Sequence, residues 1–327
     1  MGESHSLNVF KLRVIGKIGF LKRRFQNKIK DTVQSQSKLQ KLNKSYLKFN
    51  DKERLLYQGM VAKVCVGNKF EDFENHWNLE FEGKDFQINF NQKNAWLRWD
   101  TCLSILGNDI EVKNFYRKIL RSEFKPKVFF DVGANYCTHS FLMAVHDVDV
   151  YSFEPNPNCR EFGEDLFSSN NLNSSIIAKG VGAKNEKLTL SFPDDETWNG
   201  TFSITQKEKI GNSDDLSQVE VDVIKLEDFC NEKNIIPDLI KIDTEGFEAN
   251  VVIGAKEILR ENAIDVVFES IERASRKELY NLFDELNYSL FDISSGGKFS
   301  QENFLSTSET NFLASKDSEK IKVLFSV

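Results

Sequence analysis

Between residues 127 and 270, short apolar runs alternate with longer stretches of helical period. Val128–Asp131, Val148–Glu154, Ser175–Lys179, Leu239–Asp243 and Ile264–Glu269 read as strands. Cys159–Ser169, Ala249–Arg260 and Arg273–Glu285 space their apolar residues three or four apart and read as the helices between them. Strands interleaved with helices imply βαβ units and a mostly parallel sheet. Tyr288–Ile293 and Thr310–Ala314 then add a terminal antiparallel pair. The expected fold class is α/β: a Rossmann-like, mostly parallel sheet with helices on both faces, a terminal antiparallel hairpin, and a helical and hairpin extension in front.

That extension has its own patterns. Leu79–Phe90 alternates apolar and polar residues on both sides of Glu82-Gly83-Lys84-Asp85, the signature of a hairpin. Residues 108–122 read as a helix before Pro126, and residues 31–55 as a Lys-rich connecting helix or linker. Leu7, Phe10, Val14, Ile18, Leu21, Phe25 and Ile29 fall on one helical stripe with basic residues around much of the remainder. The expected organisation is a basic helical arm over 1–50, an accessory region over 51–124, a catalytic-type domain over 125–317 and a tail over 318–327.

Charge sharpens this division. Residues 1–50 hold 12 Lys and Arg against Glu3 and Asp31, a balance of +10; the whole chain carries −7, so the remainder carries −17. A basic arm on an acidic body points to an anionic surface as the arm's partner, such as a peripheral membrane contact. The ordinary alternative is a helix that packs on its own domain or on a second copy, giving a homo-oligomer. The acidic body argues against nucleic acid, whose backbone it would repel. Cys65, Cys102, Cys137, Cys159 and Cys230 are odd in number and form no C-x-x-C pair, which favours a reducing, cytoplasmic setting and gives no support to a zinc site. No apolar run is long enough to span a bilayer.

The candidate chemistry lies at the strand ends, where open α/β sheets bind ligands. Asp131, Glu154, Asp243 and Glu269 each fall at the end of a predicted strand. After the first comes Gly133-Ala134-Asn135. The glycines of a G-x-G-x-x-G dinucleotide turn are missing: Asp131 and Tyr136 hold the outer two positions, and an acid there would repel a pyrophosphate. A cationic ligand suits the acids better. S-adenosylmethionine carries a sulfonium, an ammonium and a ribose diol, and Glu154 follows the turn at the spacing used for ribose recognition.

Four segments, DVGANYCTHS, FEPNPNC, VDVIKLEDF and DLIKIDTEGFEANVVIGAKEIL, together resemble the FkbM-type methyltransferases over about residues 125–270. The D-x-G-A-N turn is shared by many class I methyltransferases; K-I-D-x-E-G-x-E downstream of F-E-P-N-P is the more specific part. The resemblance implies S-adenosylmethionine as cofactor, with contacts from Asp131, Gly133, Ala134, Asn135 and Glu154. It places the second half of the site at Asp243, Glu245 and Gly246, with Lys241 orienting that strand end or pairing with its acids. It also implies methylation of a hydroxyl on a sugar, glycan or small metabolite.

Removing the hydroxyl proton during transfer needs a base or orienting group, and Asp243 and Glu245 are the candidates, with Glu269 behind them. Asp243 with Glu245 binding a divalent cation is the lesser reading. Two residues depart from the family pattern. Cys137 stands where glycine is usual, which leaves open a catalytically inactive binding or assembly protein on the same fold. His139 replaces an apolar or aromatic residue and is expected to pack. Trp198, Asn199 and Phe202 are candidates for covering a substrate or closing the core.

Overall fold

The computed structural model describes residues 19–33, 35–46, 48–65, 75–90, 105, 107–193, 216–271 and 273–326. Leu7, Phe10, Val14 and Ile18 of the N-terminal stripe lie outside these residues, as do Trp198, Asn199 and Phe202. The chain divides into two compact units, residues 1–110 with 169–171, and residues 111–168 with 172–327.

The first unit holds α1 (Gly19–Val33), α2 (Gln36–Tyr46), α3 (Asp51–Cys65) and a hairpin of β1 (Asn75–Phe81) and β2 (Lys84–Phe90). The stretch over 31–55 read as a connecting helix or linker is thus the end of α1, α2 and the start of α3. A capping box starts α3: Asn50 N–H donates to Glu53 Oε2 and Glu53 N–H to Asn50 Oδ1, each at 3.0 Å. The hairpin closes through Glu82 and Gly83 at φ of +52° and +76°, a two-residue turn whose positive φ values match the strand twist. Its alternation buries Trp77, Leu79, Phe81, Phe86 and Ile88. Tyr46 at the end of α2 is buried against Trp77 and Tyr57, with ring centroids 5.5 and 6.1 Å away.

The second unit contains the expected α/β sheet. Its elements in order are α4 (Ile110–Arg121), β3 (Val128–Val132), α5 (Thr138–Ala144), β4 (Asp149–Phe153), α6 (Pro157–Ser168), β5 (Ser175–Ile177), β6 (Gly180–Val181), β7 (Glu186–Pro193) and β8 (Leu216–Ile224). They continue with α7 (Leu226–Lys233), β9 (Leu239–Ile242), α8 (Glu248–Gly254), α9 (Lys256–Glu261), β10 (Asp265–Glu269), α10 (Arg273–Glu285), β11 (Ser289–Asp292), α11 (Gln301–Ser306), β12 (Asn311–Ser315) and α12 (Ser318–Phe325). Seven strands pair in the order β11-β12-β10-β9-β3-β4-β5, with β5, β4, β3, β9 and β10 parallel. β12 runs antiparallel to both β10 and β11, which is the expected terminal pair. The central strands are largely apolar because both faces are covered: Phe129, Phe130, Ile240, Val266 and Val267 are each fully buried.

Three features differ from the sequence expectation. A separate three-stranded sheet, β6-β8-β7, follows β5. The helix expected over 249–260 is two helices meeting at Ala255, whose φ of −111° breaks the helical run. Residues expected as a tail form α12, capped by Asp317 accepting from Lys320 N–H and anchored by buried Ile321 and Leu324. A chain end folds in this way only when it has apolar surface to bury.

Arg276 of α10 is buried and donates to four backbone carbonyls: Ser270, Phe304, Thr307 and Glu309. It thereby ties the end of β10 to the approach to β12. No helix among the described residues is long and apolar enough to cross a membrane.

Candidate active site

The parallel register brings one row of residues to one edge of the sheet. Phe153, Val132, Ile242 and Phe268 lie side by side across β4, β3, β9 and β10. The next residues along these strands are Glu154, Gly133, Asp243 and Glu269. Three of the four acids expected there share this rim. Asp131 does not: it is the penultimate residue of β3, level with Ser152 and Lys241, and fully buried. Its Oδ2 accepts from Ser140 N–H at 3.0 Å and from Ser140 Oγ at 2.7 Å, so it anchors the first turn of α5. Its Oδ1 is buried without a hydrogen-bond partner.

The turn after β3 is built on its neighbours. Gly133 and Ala134 both donate their N–H to the Phe153 carbonyl, at 3.0 and 3.1 Å. Gly133 has φ of +76°, and a Cβ there would lie 1.8 Å from the Asp243 carbonyl oxygen. Glycine at this position is therefore demanded by packing against β9 as well as by the turn itself. Asn135 donates its N–H to Glu154 Oε2 at 2.7 Å, and Asn156 donates to Oε1 at the same distance. One carboxylate thus fixes two loops. Burial pushes the Glu154 carboxyl up to about 7, although those two N–H groups and Arg160 pull it down. Asn156 Oδ1 accepts from Asn158 N–H at 3.0 Å, a turn-forming contact.

Cys137 sits in the left-handed region at φ of +56° and precedes α5. That conformation explains why glycine suits the position. Its thiol is buried and faces α6, where a Cβ on Gly163 would come within 2.6 Å of Sγ. Burial, then the charges of Asp131 and Glu154, raise the thiol's pKa well above the usual range, so it stays protonated. His139 packs at 3.2 Å (Nδ1) from the Tyr116 hydroxyl, with the rings edge to face.

The other half of the rim follows β9. Buried Lys241 places Nζ 2.7 Å from Asp243 Oδ2. The turn Asp243-Thr244-Glu245-Gly246 is held by Glu248. Its Oε1 accepts from Thr244 N–H, Thr244 Oγ1 and Gly246 N–H at 3.1, 3.1 and 3.0 Å. Glu245 and Gly246 both have positive φ, at +52° and +94°. One carboxylate oxygen each from Asp243, Glu245 and Glu269 lie within 4.8 Å of one another. All three residues are partly exposed. Burial first, then the charge of Asp243 and a hydrogen bond with it, push the Glu269 carboxyl up to about 10. Glu269 thus holds its proton at neutral pH and is hydrogen-bonded to Asp243, with Lys241 and Glu245 beside the pair.

The residues fit a cationic, diol-bearing cofactor. The chemistry of the donor set decides this: the rim offers carboxyl groups from β4, β9 and β10, while Lys241 is spent on Asp243 and Arg160 donates to the Glu154 and Pro155 carbonyls. A phosphate group would meet repulsion there. Glu248 is the positioning residue that sequence reasoning undervalued. Its signals were its place as the last acid of K-I-D-x-E-G-x-E and its position four residues after Thr244, a pattern equally suited to a first-turn helix acid.

Residues 131–292, just under half of the chain, match the family described as the Methyltransferase FkbM domain. No curated protein matches the chain significantly. Among solved structures, a methyltransferase FkbM from Methylobacillus flagellatus KT is 14% identical, with a TM-score of 0.37 over 66% of this chain and 57% of that one. The 16S rRNA N2 G1207 methyltransferase of T. thermophilus, solved with AdoMet and guanosine, is 10% identical, with a TM-score of 0.40 over 76% and 52% of the two chains. A precorrin-6y C5,15-methyltransferase from Geobacter metallireducens GS-15 is 10% identical, with a TM-score of 0.35 over 64% and 90%. The chain thus spans little more than half the length of the first two.

Proposed function

We propose that this chain, which carries an FkbM methyltransferase domain over residues 131–292, is an S-adenosylmethionine-dependent O-methyltransferase acting on a hydroxyl of a glycan or small metabolite. The observation that carries the reading is the row Glu154, Gly133, Asp243, Glu269 along one sheet edge.

Glu154 is suited to accept hydrogen bonds from the two ribose hydroxyls, and it is already fixed in place by Asn135 and Asn156 N–H. Gly133, Ala134 and Asn135 form the floor of that side, and Asp131 supports it from behind by holding α5. When bound, the cofactor supplies a methyl group on an activated sulfonium, so the protein's task is alignment and proton handling. Asp243 and Glu245 orient the acceptor hydroxyl and take its proton. Lys241 keeps a positive charge beside Asp243, and Glu269 donates its own proton to Asp243 in the resting arrangement. A hydroxyl entering beside Asp243 replaces that hydrogen bond.

The reading of a retired site on the same fold rested on Cys137. Its side chain faces α6 at Gly163 and is fully buried, so it is not an intrusion at the rim.

The test is calorimetric titration with S-adenosylmethionine and S-adenosylhomocysteine, with Glu154→Ala as control, followed by detection of S-adenosylhomocysteine release against a panel of hydroxylated glycosides and metabolites. Micromolar binding that Glu154→Ala abolishes, with turnover on one hydroxyl acceptor that Asp243→Asn loses, supports the reading. Absence of cofactor binding to the native chain overturns it; binding with transfer only to amine or carboxylate acceptors overturns the hydroxyl assignment.

A further inference from the structure

The basic half of the first unit has a surface whose chemistry the methyltransferase reading does not use. On α1, Arg23, Arg24 and Lys28 are exposed; on α2 and just after it, Lys38, Lys41, Lys44 and Lys48 are exposed. One acid, Asp31, is exposed among the described residues 19–50, and it is bonded to Lys38 at 2.5 Å. At about 100° per residue, Lys38, Lys41 and Lys44 occupy about 120° of α2. Tyr46 lies about 140° around from the centre of that arc. It is buried against Trp77 of the hairpin, so the helix is fastened by one side and turns its cations away from that contact. α1 packs against both α2 and α3, which makes the two basic helices part of one body.

We infer that α1 and α2 form a docking surface for an anionic lipid bilayer. Charge complementarity selects this partner. Residues 1–50 carry +10 and the remainder −17. A nucleic-acid strand is a continuous line of negative charge, which a chain acidic outside these fifty residues repels overall. A bilayer presents separate anionic headgroups that gather beneath the cations, each Lys or Arg adding to the attraction within a Debye length of the surface. No helix of the described residues spans a membrane, so the contact is peripheral and set by salt.

The experiment is co-sedimentation of the full-length protein with phosphatidylcholine vesicles containing roughly 30% phosphatidylserine, and with phosphatidylcholine alone, at about 100 mM salt. Binding to the anionic vesicles only, weakened at least tenfold or so by raising salt to about 500 mM, is the expected result. The variant R23Q/R24Q/K41Q/K44Q should bind at least roughly tenfold more weakly while keeping its circular dichroism and unfolding midpoint, since these exposed side chains carry no packing. Equal partition to both vesicle types, no partition to either, or undiminished binding by the folded variant would overturn the inference. So would tighter binding to a duplex or single-stranded oligonucleotide than to the vesicles. The assay uses no methyl acceptor or cofactor, so its outcome is separate from that of the reaction proposed above.

Discussion

The thiol of Cys137 fills the space that Gly163 leaves open: a Cβ on Gly163 would lie 2.6 Å from Sγ and 3.1 Å from the Cys137 Cβ. The side chain that departs from the family pattern in the turn is thus accommodated one helix away. Its backbone still takes the left-handed conformation that glycine adopts freely, at a cost of about 1–2 kcal/mol.

This pairing predicts non-additive stability. Gly163→Ala should destabilise by about 1–3 kcal/mol through overpacking. Cys137→Gly relieves backbone strain but empties the site, so its effect should be small. The double variant should recover most of the loss, with a coupling of at least about 1 kcal/mol in urea unfolding. Simple addition of the two single effects would show that the contact is not the constraint.

Cofactor binding should depend on pH through Glu154. Burial raises its carboxyl to about 7, and only the ionised form can accept from both ribose hydroxyls while holding its two N–H partners. Affinity for S-adenosylhomocysteine should therefore rise roughly tenfold between about pH 6 and pH 8. Glu154→Gln should bind weakly and lose that dependence. A flat titration of the native protein would assign the diol to another group.

Glu269 predicts a stability change of definite sign. Its folded value of about 10 lies above the ordinary carboxyl value, so the folded protein holds a proton that the unfolded chain releases. Its contribution is complete below the unfolded value, about 4.3, and is lost as pH rises through the folded value. Glu269→Gln keeps a neutral donor, so relative to the native chain it should gain stability between about pH 6 and pH 9. Urea midpoints at the two ends of that range test this; parallel lines for the two proteins would contradict it.

Arg276→Met should be among the most damaging single changes. It strips four carbonyls of their donor, two in buried contacts at Ser270 and Phe304 and two in partly buried contacts at Thr307 and Glu309. A loss of about 3–5 kcal/mol is expected. Because Ser270 follows Glu269, hydrogen exchange at the end of β10 should accelerate before the rest of the sheet opens. Uniform acceleration across all strands would mean that Arg276 supports the whole fold equally.

Lys241→Met should leave Asp243 without its buried counter-ion, 2.7 Å away, and facing two further carboxyls. Three carboxyl groups then meet without a cation to hold them in place, so any methyl-transfer activity at neutral pH should fall by roughly tenfold or more. Undiminished turnover by the folded variant would remove Lys241 from the positioning of Asp243.

The sequence alone set the parallel sheet, since largely apolar strands such as Val128–Val132 and Leu239–Ile242, each interrupted by one charged residue, alternate with helical stretches and need cover on both faces. It also determined which residues stand near strand ends, because Gly133, Glu154 and Asp243 follow directly from where those apolar runs stop. Only the tertiary structure decided which acids share the rim. Asp131 falls two residues short of the row on β3 and bonds Ser140 instead, and strand register is a property of pairs of strands. The same holds for Glu269, whose proton depends on Asp243 some 26 positions earlier in the chain. It holds too for Cys137, whose fit depends on an absent side chain at Gly163. Burial, protonation and close packing are set by what the folded chain brings together, and local pattern carries no record of them.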